Sequence, residues 1–360
     1  YDMELFLDMA WDITLRAAMP GWVVKDDVLD RHLQHWLVTQ FGGIVGGAIF
    51  PEMKEFYRLN AIRKPEFMGW TQVELDKKKY PGGKSVPGKT EFSWTEAYQR
   101  MNAFARMEAT TEVYGHMLRD WQKDAYFAHV LYPVHAAAAM TRKMLNNNDL
   151  AESRRAYEEI QSLTERYNSM NGGKWRGLMS AAPRGLPVFG EVSTQFPQHP
   201  SVGLITARNA SDFDHLASQS QGADSFTVVN MLGHSMQAVA LQKGASLQYR
   251  FKTDYEGDAT LFVALIPTQP SDRGDLRIEV GIDDGPRTVV SLKEPFRSEQ
   301  WKQNVLRGQA LKKIPVRLRK EGAVNGEHRL SIKALDDHII LDQWMIHVDS
   351  NPQFYEIPAK

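Results

Sequence analysis

Residues 167–180 read Tyr-Asn-Ser-Met-Asn-Gly-Gly-Lys-Trp-Arg-Gly-Leu-Met-Ser, and they lie where an all-helical pattern gives way to an all-strand pattern. Gly172 and Gly173 permit backbone angles that other residues avoid, so we expect a turn that presents Lys174 and Trp175 side by side. An ammonium group beside an indole face suits an acidic sugar. The alternative interpretation is that Trp175 caps the helical core and Lys174 is only solvated.

The sequence before this stretch has the pattern of packed helices. Between about residues 26 and 167, apolar residues recur at helical spacing, and Gly42-Gly43 is a helix-stop signal. Two helix starts are visible as well: residues 93–96, Ser-Trp-Thr-Glu, have the form of a capping box, and residues 149–152, Asp-Leu-Ala-Glu, are a weaker version. Pro133 lies inside a further predicted helix and is expected to kink it. We predict a bundle of about four or five helices.

The sequence after this stretch has the pattern of strands. Four prolines between residues 183 and 200 indicate a linker. Apolar and polar residues then alternate in short segments separated by turn signals, which predicts an antiparallel β-sandwich. The alternating segments are Leu247-Tyr249-Phe251, Leu261-Val263-Leu265, Leu276-Ile278-Val280-Ile282, Ile314-Val316-Leu318, Leu330-Ile332 and Trp344-Ile346-Val348. The predicted fold class is therefore multidomain, α then β: a helical bundle followed by an antiparallel β-sandwich.

Composition narrows the classes of protein that fit. The 360 residues are 42% hydrophobic and 24% charged, as in ordinary globular proteins. A formal net charge of −1 gives no broad attraction to nucleic acid or to an anionic membrane, and we expect neither as a partner. Without cysteine there is no disulfide, thiolate metal site or cysteine nucleophile. No apolar run approaches the roughly 20 residues that span a bilayer. Because the chain opens at Tyr1 without a signal peptide, we expect it to be a piece of a longer protein.

Residue pairs that could carry chemistry all have simpler explanations. Glycoside hydrolysis usually needs two carboxyl groups about 5 to 10 Å apart. Adjacent acidic pairs occur where capping or solvation explains them, and none resembles a catalytic pair. These pairs are Asp26-Asp27, Glu158-Glu159, Asp283-Asp284 and Asp336-Asp337. The pairs His32/His35 and His129/His135 lack the spacing of a helical zinc site, so we predict no metal and no cofactor.

A series of short motifs in chain order resembles one enzyme family, glycoside hydrolase family 115, whose members are α-glucuronidases of xylan. Each motif is weak alone, but their order and spacing agree over nearly the whole chain. The linker after Pro183 matches less well. The motifs are residues 6–12, Trp36 to Gly42, Tyr57, residues 63–66, residues 124–126, residues 132–134, Tyr167-Asn168 with Gly173-Lys174-Trp175, residues 231–235, residues 266–268, Trp301, residues 326–328, and Asp336 through Ile346.

The resemblance implies a domain assignment and a function. Residues 1–25 are expected to end the catalytic TIM barrel, 26–182 to form the helical bundle, 183–205 the linker, and 206–360 a sandwich similar to a carbohydrate-binding module. The parent enzyme is expected to remove glucuronic acid or its 4-O-methyl ether from glucuronoxylan with inversion. The catalytic carboxylates are expected in the missing barrel, so no catalytic residue is assigned in this chain and the fragment alone is expected to be inactive.

The same resemblance implies site residues, a partner and a location. Substrate-binding residues are expected at Lys174, Trp175, Trp11 and Asp12. The helical domain is expected to mediate a homodimer, and the parent to be a secreted or periplasmic bacterial protein. Two other functions remain open: a non-catalytic module that stacks sugars on aromatics such as Trp301 or Tyr255, and a purely structural oligomerisation unit.

Overall fold

The computed structural model of the protein describes residues 28–69, 88–185, 189–190, 194–195, 202–217, 226–268, 274–296, 298–320, 323 and 326–359. The chain divides into two compact units, one of residues 1–60 with 64–197 and one of residues 61–63 with 198–360. We call them the helical unit and the sandwich unit. The predicted barrel segment, residues 1–25, lies outside the described residues, and the predicted domain bounds stay predictions.

Helices make up most of the described part of the helical unit. In chain order they are α1 (Val28–Phe41), α2 (Gly43–Ile62), α3 (Trp94–Gly115), α4 (Asp120–Tyr126), α5 (Tyr132–Met144) and α6 (Leu150–Gly173). Gly42 separates the first two with a φ of +83°, in agreement with the predicted stop. Two-residue strands β1 (Gly88–Lys89) and β2 (Thr194–Gln195) pair in parallel.

Side chains hold the starts of two of these helices. The Ser93 hydroxyl accepts a hydrogen bond from the Glu96 amide at 3.3 Å, while the Glu96 carboxylate accepts one from the Ser93 amide at 2.7 Å. This reciprocal pair is the capping box that the sequence predicts at the start of α3. At the start of α6, the Asp149 carboxylate accepts from the Glu152 amide at 2.9 Å. Both predicted helix starts are confirmed.

Pro133 produces a local change in helix geometry. Residues 127–131 form a π-helical turn between α4 and α5, and the Tyr132 amide donates to the carbonyl of Phe127, five residues earlier. Inside a helix, a proline ring clashes with the carbonyl four residues before it, and the proline nitrogen has no hydrogen to donate. The π turn places Pro133 in the first turn of α5, where a proline is tolerated because no intrahelical donor is needed there. The predicted irregularity is therefore a π turn.

The sandwich unit contains two antiparallel sheets among its described residues. Its strands are β3 (Leu204–Asn209), β4 (His215–Ala217), β5 (Phe226–Asn230), β6 (Gln237–Leu241), β7 (Ser246–Lys252), β8 (Gly257–Leu265), β9 (Arg277–Ile282), β10 (Thr288–Ser291), β11 (Ala310–Leu318), β12 (Glu327–Ala334) and β13 (Ile339–His347). A five-stranded sheet has the order β10-β9-β12-β7-β4. The other sheet has the order β11-β8-β13-β6-β5, and β3 also pairs with β13. Helix α7 (Glu299–Arg307) precedes β11.

The core of the sandwich unit comes from alternate residues of both sheets. Leu247, Tyr249 and Phe251 point inward from β7 and pack in one cluster with Leu261 and Val263 of β8. Trp344 is fully buried at the centre, with its ring centroid 5.1 Å from that of Tyr249. Each alternating segment that the sequence identified lies wholly or largely in one of these strands, and the predicted fold class, helices followed by a sandwich, is confirmed.

None of the described helices combines the length and the apolar composition that crossing a membrane requires.

Candidate functional site

The end of α6 forms the loop that the sequence singled out. Met170 leaves helical geometry with ψ at 150°, and Asn171, Gly172 and Gly173 follow with φ values of 52°, 66° and 84°. Three successive residues in the left-handed region turn the chain sharply; two of them are glycines, which have no Cβ to clash, and the third is an asparagine, which tolerates this region better than most residues. We call residues 171–179 the GGKW loop.

The side chain of Asn168 fastens the GGKW loop to the helix. Its amide nitrogen donates to the Met179 carbonyl at 3.0 Å, and its amide oxygen accepts from the Met179 amide at 3.1 Å. Inside the loop, the Arg176 amide donates to the Gly173 carbonyl at 3.1 Å and the Leu178 amide to that of Trp175 at 3.0 Å. The backbone of the loop is thus ordered by its own hydrogen bonds.

Lys174 and Trp175 lie together at the tip of this loop. The Lys174 ammonium is 4.8 Å from the centroid of the Trp175 ring, a distance typical of a cation–π contact. Lys174 is exposed, and Trp175 is 37% exposed, so the indole is not a buried residue of the helical core. The two remaining predicted site residues, Trp11 and Asp12, lie outside the described residues.

Aromatic side chains support the base of the loop. The ring centroids of Tyr132 and Tyr167 are 4.9 Å apart, and the Arg166 guanidinium lies 3.8 Å from the ring centroid of Phe127 in the π turn. Burial raises the pKa of the Tyr132 hydroxyl, against a smaller opposing effect of its hydrogen bond with Thr164. Tyr132 and Tyr167, one from each motif, therefore pack on each other and on Phe127 in the part of the helical unit from which the loop begins.

One cluster of ligand-type side chains lies elsewhere in the helical unit. Among the described residues, Glu108, His135 and Glu159 bring donor atoms within 4.8 Å of one another. The Arg142 guanidinium already joins the two carboxylates, at 2.6 Å to Glu108 and 2.7 Å to Glu159. A metal ion would have to compete with this guanidinium, so we interpret the cluster as an ion-pair network that links α3, α5 and α6.

Comparison with known proteins identifies the family. Residues 203–359 match the glycosyl hydrolase family 115 C-terminal domain. A structure described as a family GH115 4-O-methyl-α-glucuronidase, BtGH115A, with specificity for decorated arabinogalactans, is similar over 96% of this chain at 33% identity, with a TM-score of 0.79. The chain belongs to glycoside hydrolase family 115. It spans 44% of the length of BtGH115A.

Two further structures are similar to less than half of the chain. An exo-β-1,3-galactanase from Phanerochaete chrysosporium is 16% identical over 41% of this chain and 30% of its own, with a TM-score of 0.28. A family 35 carbohydrate-binding module from Clostridium thermocellum is 13% identical over 40% of this chain and 98% of its own, with a TM-score of 0.27. A search of curated proteins gave no match.

In the family 115 C-terminal domain, a buried carboxylate explains the motif at residues 231–235. Asp342 is fully buried and accepts hydrogen bonds from the backbone amide of His234 at 2.8 Å, the hydroxyl of Ser235 at 2.5 Å and the Gln309 amide at 2.8 Å. Gly233 has a φ of +80°, and a Cβ there would lie 2.3 Å from an Asp342 oxygen. The glycine is needed both for its backbone angle and for this close approach.

His234 belongs to the same buried network. Burial, helped by the nearby Arg307, lowers the pKa of His234 to about 4, so the imidazole is neutral at neutral pH. Its Nε2 lies 2.8 Å from the Arg307 carbonyl, and Nε2 must donate in this contact because a carbonyl only accepts. Asp342 lies inside the motif from Asp336 to Ile346, but nothing in that motif identifies it as the acceptor for His234 and Ser235.

Two aromatic residues named as possible sugar platforms in this family 115 domain are only half-buried. Trp301 lies on α7 with its ring centroid 5.1 Å from that of Phe296, which is 73% exposed. The hydroxyl of Tyr255 donates to the Asp258 carbonyl at 2.8 Å. Their proposed role in sugar stacking stays a prediction.

Proposed function

We propose that this chain is the C-terminal accessory part of an α-glucuronidase that removes glucuronic acid or 4-O-methylglucuronic acid from a plant glycan. Membership of glycoside hydrolase family 115 supports a hydrolase parent. The catalytic carboxylates would lie in another part of the parent, because none of the acidic pairs in this chain has the character of a catalytic pair. Glucuronoxylan is our first candidate substrate, and decorated arabinogalactan, the substrate class of BtGH115A, is the second.

The observation that carries this proposal is the exposed pair of Lys174 and Trp175. A lysine ammonium can form a charge-assisted hydrogen bond with a glucuronate carboxylate, and an indole can cover the apolar face of a sugar ring. The two groups lie within 4.8 Å of each other, so a single sugar residue can contact both. The proposed role of the GGKW loop is to bind the acidic sugar that the parent enzyme releases.

We also propose a homodimer through the helical unit and a secreted or periplasmic location for the parent. Large apolar side chains at the surface of the helical unit support the first point, because exposed apolar surface favours association. Ile44, Val113, Met117 and Trp121 are 72%, 62%, 57% and 74% exposed. A non-catalytic carbohydrate-binding or dimerisation module remains the alternative function.

The fragment alone is expected to release no uronic acid from glucuronoxylan or from decorated arabinogalactan. The reason is that the proposed active-site carboxylates are outside this chain. Purified fragment and barrel-containing parent are incubated with each glycan, and free uronic acid is measured by anion-exchange chromatography. Saturable turnover by the fragment that disappears when one of its own carboxylates is changed would show that the chain is itself a catalytic unit.

In the barrel-containing parent, Lys174→Ala is expected to lower kcat/KM by about 10- to 150-fold, because a hydrogen bond to a charged group is worth about 1.5 to 3 kcal/mol. Trp175→Ala is expected to lower kcat/KM as well, with little loss of thermal stability, since the indole is 37% exposed. Lys174→Arg keeps the charge and should retain part of the activity.

Lys123→Ala is the matched control, since Lys123 is another exposed lysine of the helical unit and should leave kinetics unchanged. A second substrate, in which the uronic acid has been reduced to the neutral sugar, separates recognition of charge from recognition of shape. On this substrate the Lys174→Ala enzyme should be as fast as the unmodified enzyme, because no carboxylate is present for Lys174 to bind. Unchanged kinetics for Lys174→Ala, together with unfolding of Trp175→Ala, would leave only a structural role for the loop.

A further inference from the structure

The outer face of the five-stranded sheet carries two arginines that oppose each other directly. Arg250 of β7 and Arg329 of β12 are register partners in an antiparallel pair. Both are exposed. Like charges directly opposite each other on a sheet are destabilising, so stability alone gives no reason for this arrangement.

A third arginine reaches the same face from the turn after β9. A Cβ at Gly281 would lie 2.4 Å from an Arg287 guanidinium nitrogen and 2.5 Å from its Cδ, so the Arg287 side chain lies across this glycine. Gly281 is the register partner of Ser331, and Ser331 is the partner of Gln248. Because side chains two residues apart share a face, this polar row adjoins the row of Arg250 and Arg329.

These side chains line a groove of about 380 Å³. The side chains of Arg287 and Arg329 form no ion pair with any residue that the structure describes, and the carboxylate nearest to the Arg250 guanidinium, that of Glu327, is 3.9 Å away. Asp283, also in the groove wall, is already engaged: it lies 2.7 Å from His328 Nδ1 and accepts from the Arg329 amide at 2.7 Å. The charges of Arg287 and Arg329 are therefore available to a ligand, while that of Arg250 forms a long ion pair with Glu327.

The composition of the groove selects the class of ligand. Guanidinium groups bind carboxylates through paired hydrogen bonds, while Gln248, Ser331 and the Glu327 carboxylate can exchange hydrogen bonds with hydroxyl groups. Glu327 and Asp284 would repel a polyphosphate chain, which carries several negative charges, more strongly than a ligand with a single carboxylate. No Trp, Tyr or Phe is among the described lining residues, which disfavours stacking of nucleic-acid bases. A sugar with one carboxylate and several hydroxyls can pair with the guanidinium groups and exchange hydrogen bonds with Gln248, Ser331 and Glu327.

We propose that this groove is a second acidic-sugar site, which binds a uronic acid residue of a glycan through Arg250, Arg287 and Arg329. It lies in the sandwich unit, separate from the GGKW loop of the helical unit. The sandwich would thereby hold an acidic glycan through charged side chains and without an aromatic platform. This proposal does not depend on the role of Lys174, since the two sites share no residue.

Binding to the 360-residue chain tests the proposal. The probe is xylotriose bearing one 4-O-methylglucuronic acid, titrated by calorimetry into protein that carries Lys174→Ala, so that the GGKW loop does not contribute. Arg329→Gln and Arg250→Gln are each expected to raise Kd by about tenfold or more. Arg317→Gln is the matched control, because Arg317 is an exposed arginine on β11 of the other sheet, and its Kd should not change.

Two further measurements separate ligand binding from a structural role. Gly281→Ala keeps every charge but forces the Arg287 side chain to move, and it should weaken binding. Arg329→Gln relieves the repulsion with Arg250, so its melting temperature should stay equal or rise, whereas a structural arginine would lower it. If Arg329→Gln leaves Kd unchanged, or if the carboxyl-reduced probe or an oligothymidylate binds as tightly, the groove is not a uronate site.

Discussion

Asp342→Ala is expected to destabilise the sandwich unit by about 3 to 5 kcal/mol, the range seen when one partner is removed from a buried charged network. The substitution leaves the buried His234 amide, the buried Gln309 side chain and the half-buried Ser235 amide without their acceptor. Each buried donor left unsatisfied costs about 1 to 3 kcal/mol. Asp342→Asn should also destabilise, because its new NH₂ group faces donors.

Hydrogen exchange measured by mass spectrometry reports the loss of stability separately for the sandwich unit and the helical unit. Peptides from β5 to β8 should lose protection in Asp342→Ala, while peptides from α3 serve as an internal reference in the helical unit. Ser235→Ala is the graded control, since it removes only the hydroxyl, which donates to Asp342 and accepts from the exposed Gln237 amide, and it should cost about 1 kcal/mol. If the free energy of opening measured by exchange in the Asp342→Ala sandwich lies within about 1 kcal/mol of that of the unmodified chain, the network contributes little to stability.

Lys143→Met is expected to stabilise the helical unit by about 1 to 4 kcal/mol at pH 7, as when buried charged groups are replaced by apolar ones of similar volume. Lys143 is fully buried near the end of α5, and burial lowers the pKa of its ammonium from 10.5 to about 7. Its Nζ donates to the Phe189 carbonyl at 2.6 Å, which offsets part of the cost of burial.

The pH dependence of stability distinguishes this explanation from improved packing. Between about pH 7 and pH 10.5 the unfolded chain holds a proton on Lys143 that the folded chain has released. The unmodified protein should therefore gain stability as the pH rises through this window, by up to about 1.36 kcal/mol per unit of pH, and Lys143→Met should lack this gain. Urea unfolding at pH 7, 8 and 9 measures the unfolding free energy of the unmodified protein and of Lys143→Met.

Lys123→Met is the control for this comparison. Lys123 is exposed and pairs with Asp120 at 2.7 Å, so its replacement should change stability by less than about 1 kcal/mol at any of these pH values. If Lys143→Met lowers the unfolding free energy at pH 7 and its pH profile runs parallel to that of the unmodified protein, the ammonium is a net stabilising group.

Features encoded by neighbouring residues were predictable from the sequence. The capping box at Ser93 needs only Glu96 three residues later, and the strands follow from alternation within single segments. The turn at the GGKW loop follows from adjacent glycines that allow a positive φ. In each case the deciding contact lies within one turn or one strand, where sequence patterns are informative.

Features that depend on pairing between distant segments were not predictable. Arg250 and Arg329 oppose each other only through the register of β7 and β12, and nothing near either residue indicates the partner. Asp342 is bonded to His234 across 108 positions of the chain. The exposure of Trp175 was also undecided, since an indole after a helix fits either a core or a surface. The arginine pair, the hydrogen bond of Asp342 and the exposure of Trp175 all depend on tertiary packing.

The hydrogen bonds between Asn168 and Met179 have a consequence for affinity. A loop that is flexible before it binds must lose conformational entropy on binding, and this loss is subtracted from the affinity of the ligand. Here folding has already fixed residues 171–179, because the Asn168 amide closes the loop onto α6. In the proposed site, a single sugar residue with few contacts would then bind without the cost of ordering the loop backbone, and only exposed side chains such as Lys174 would lose freedom.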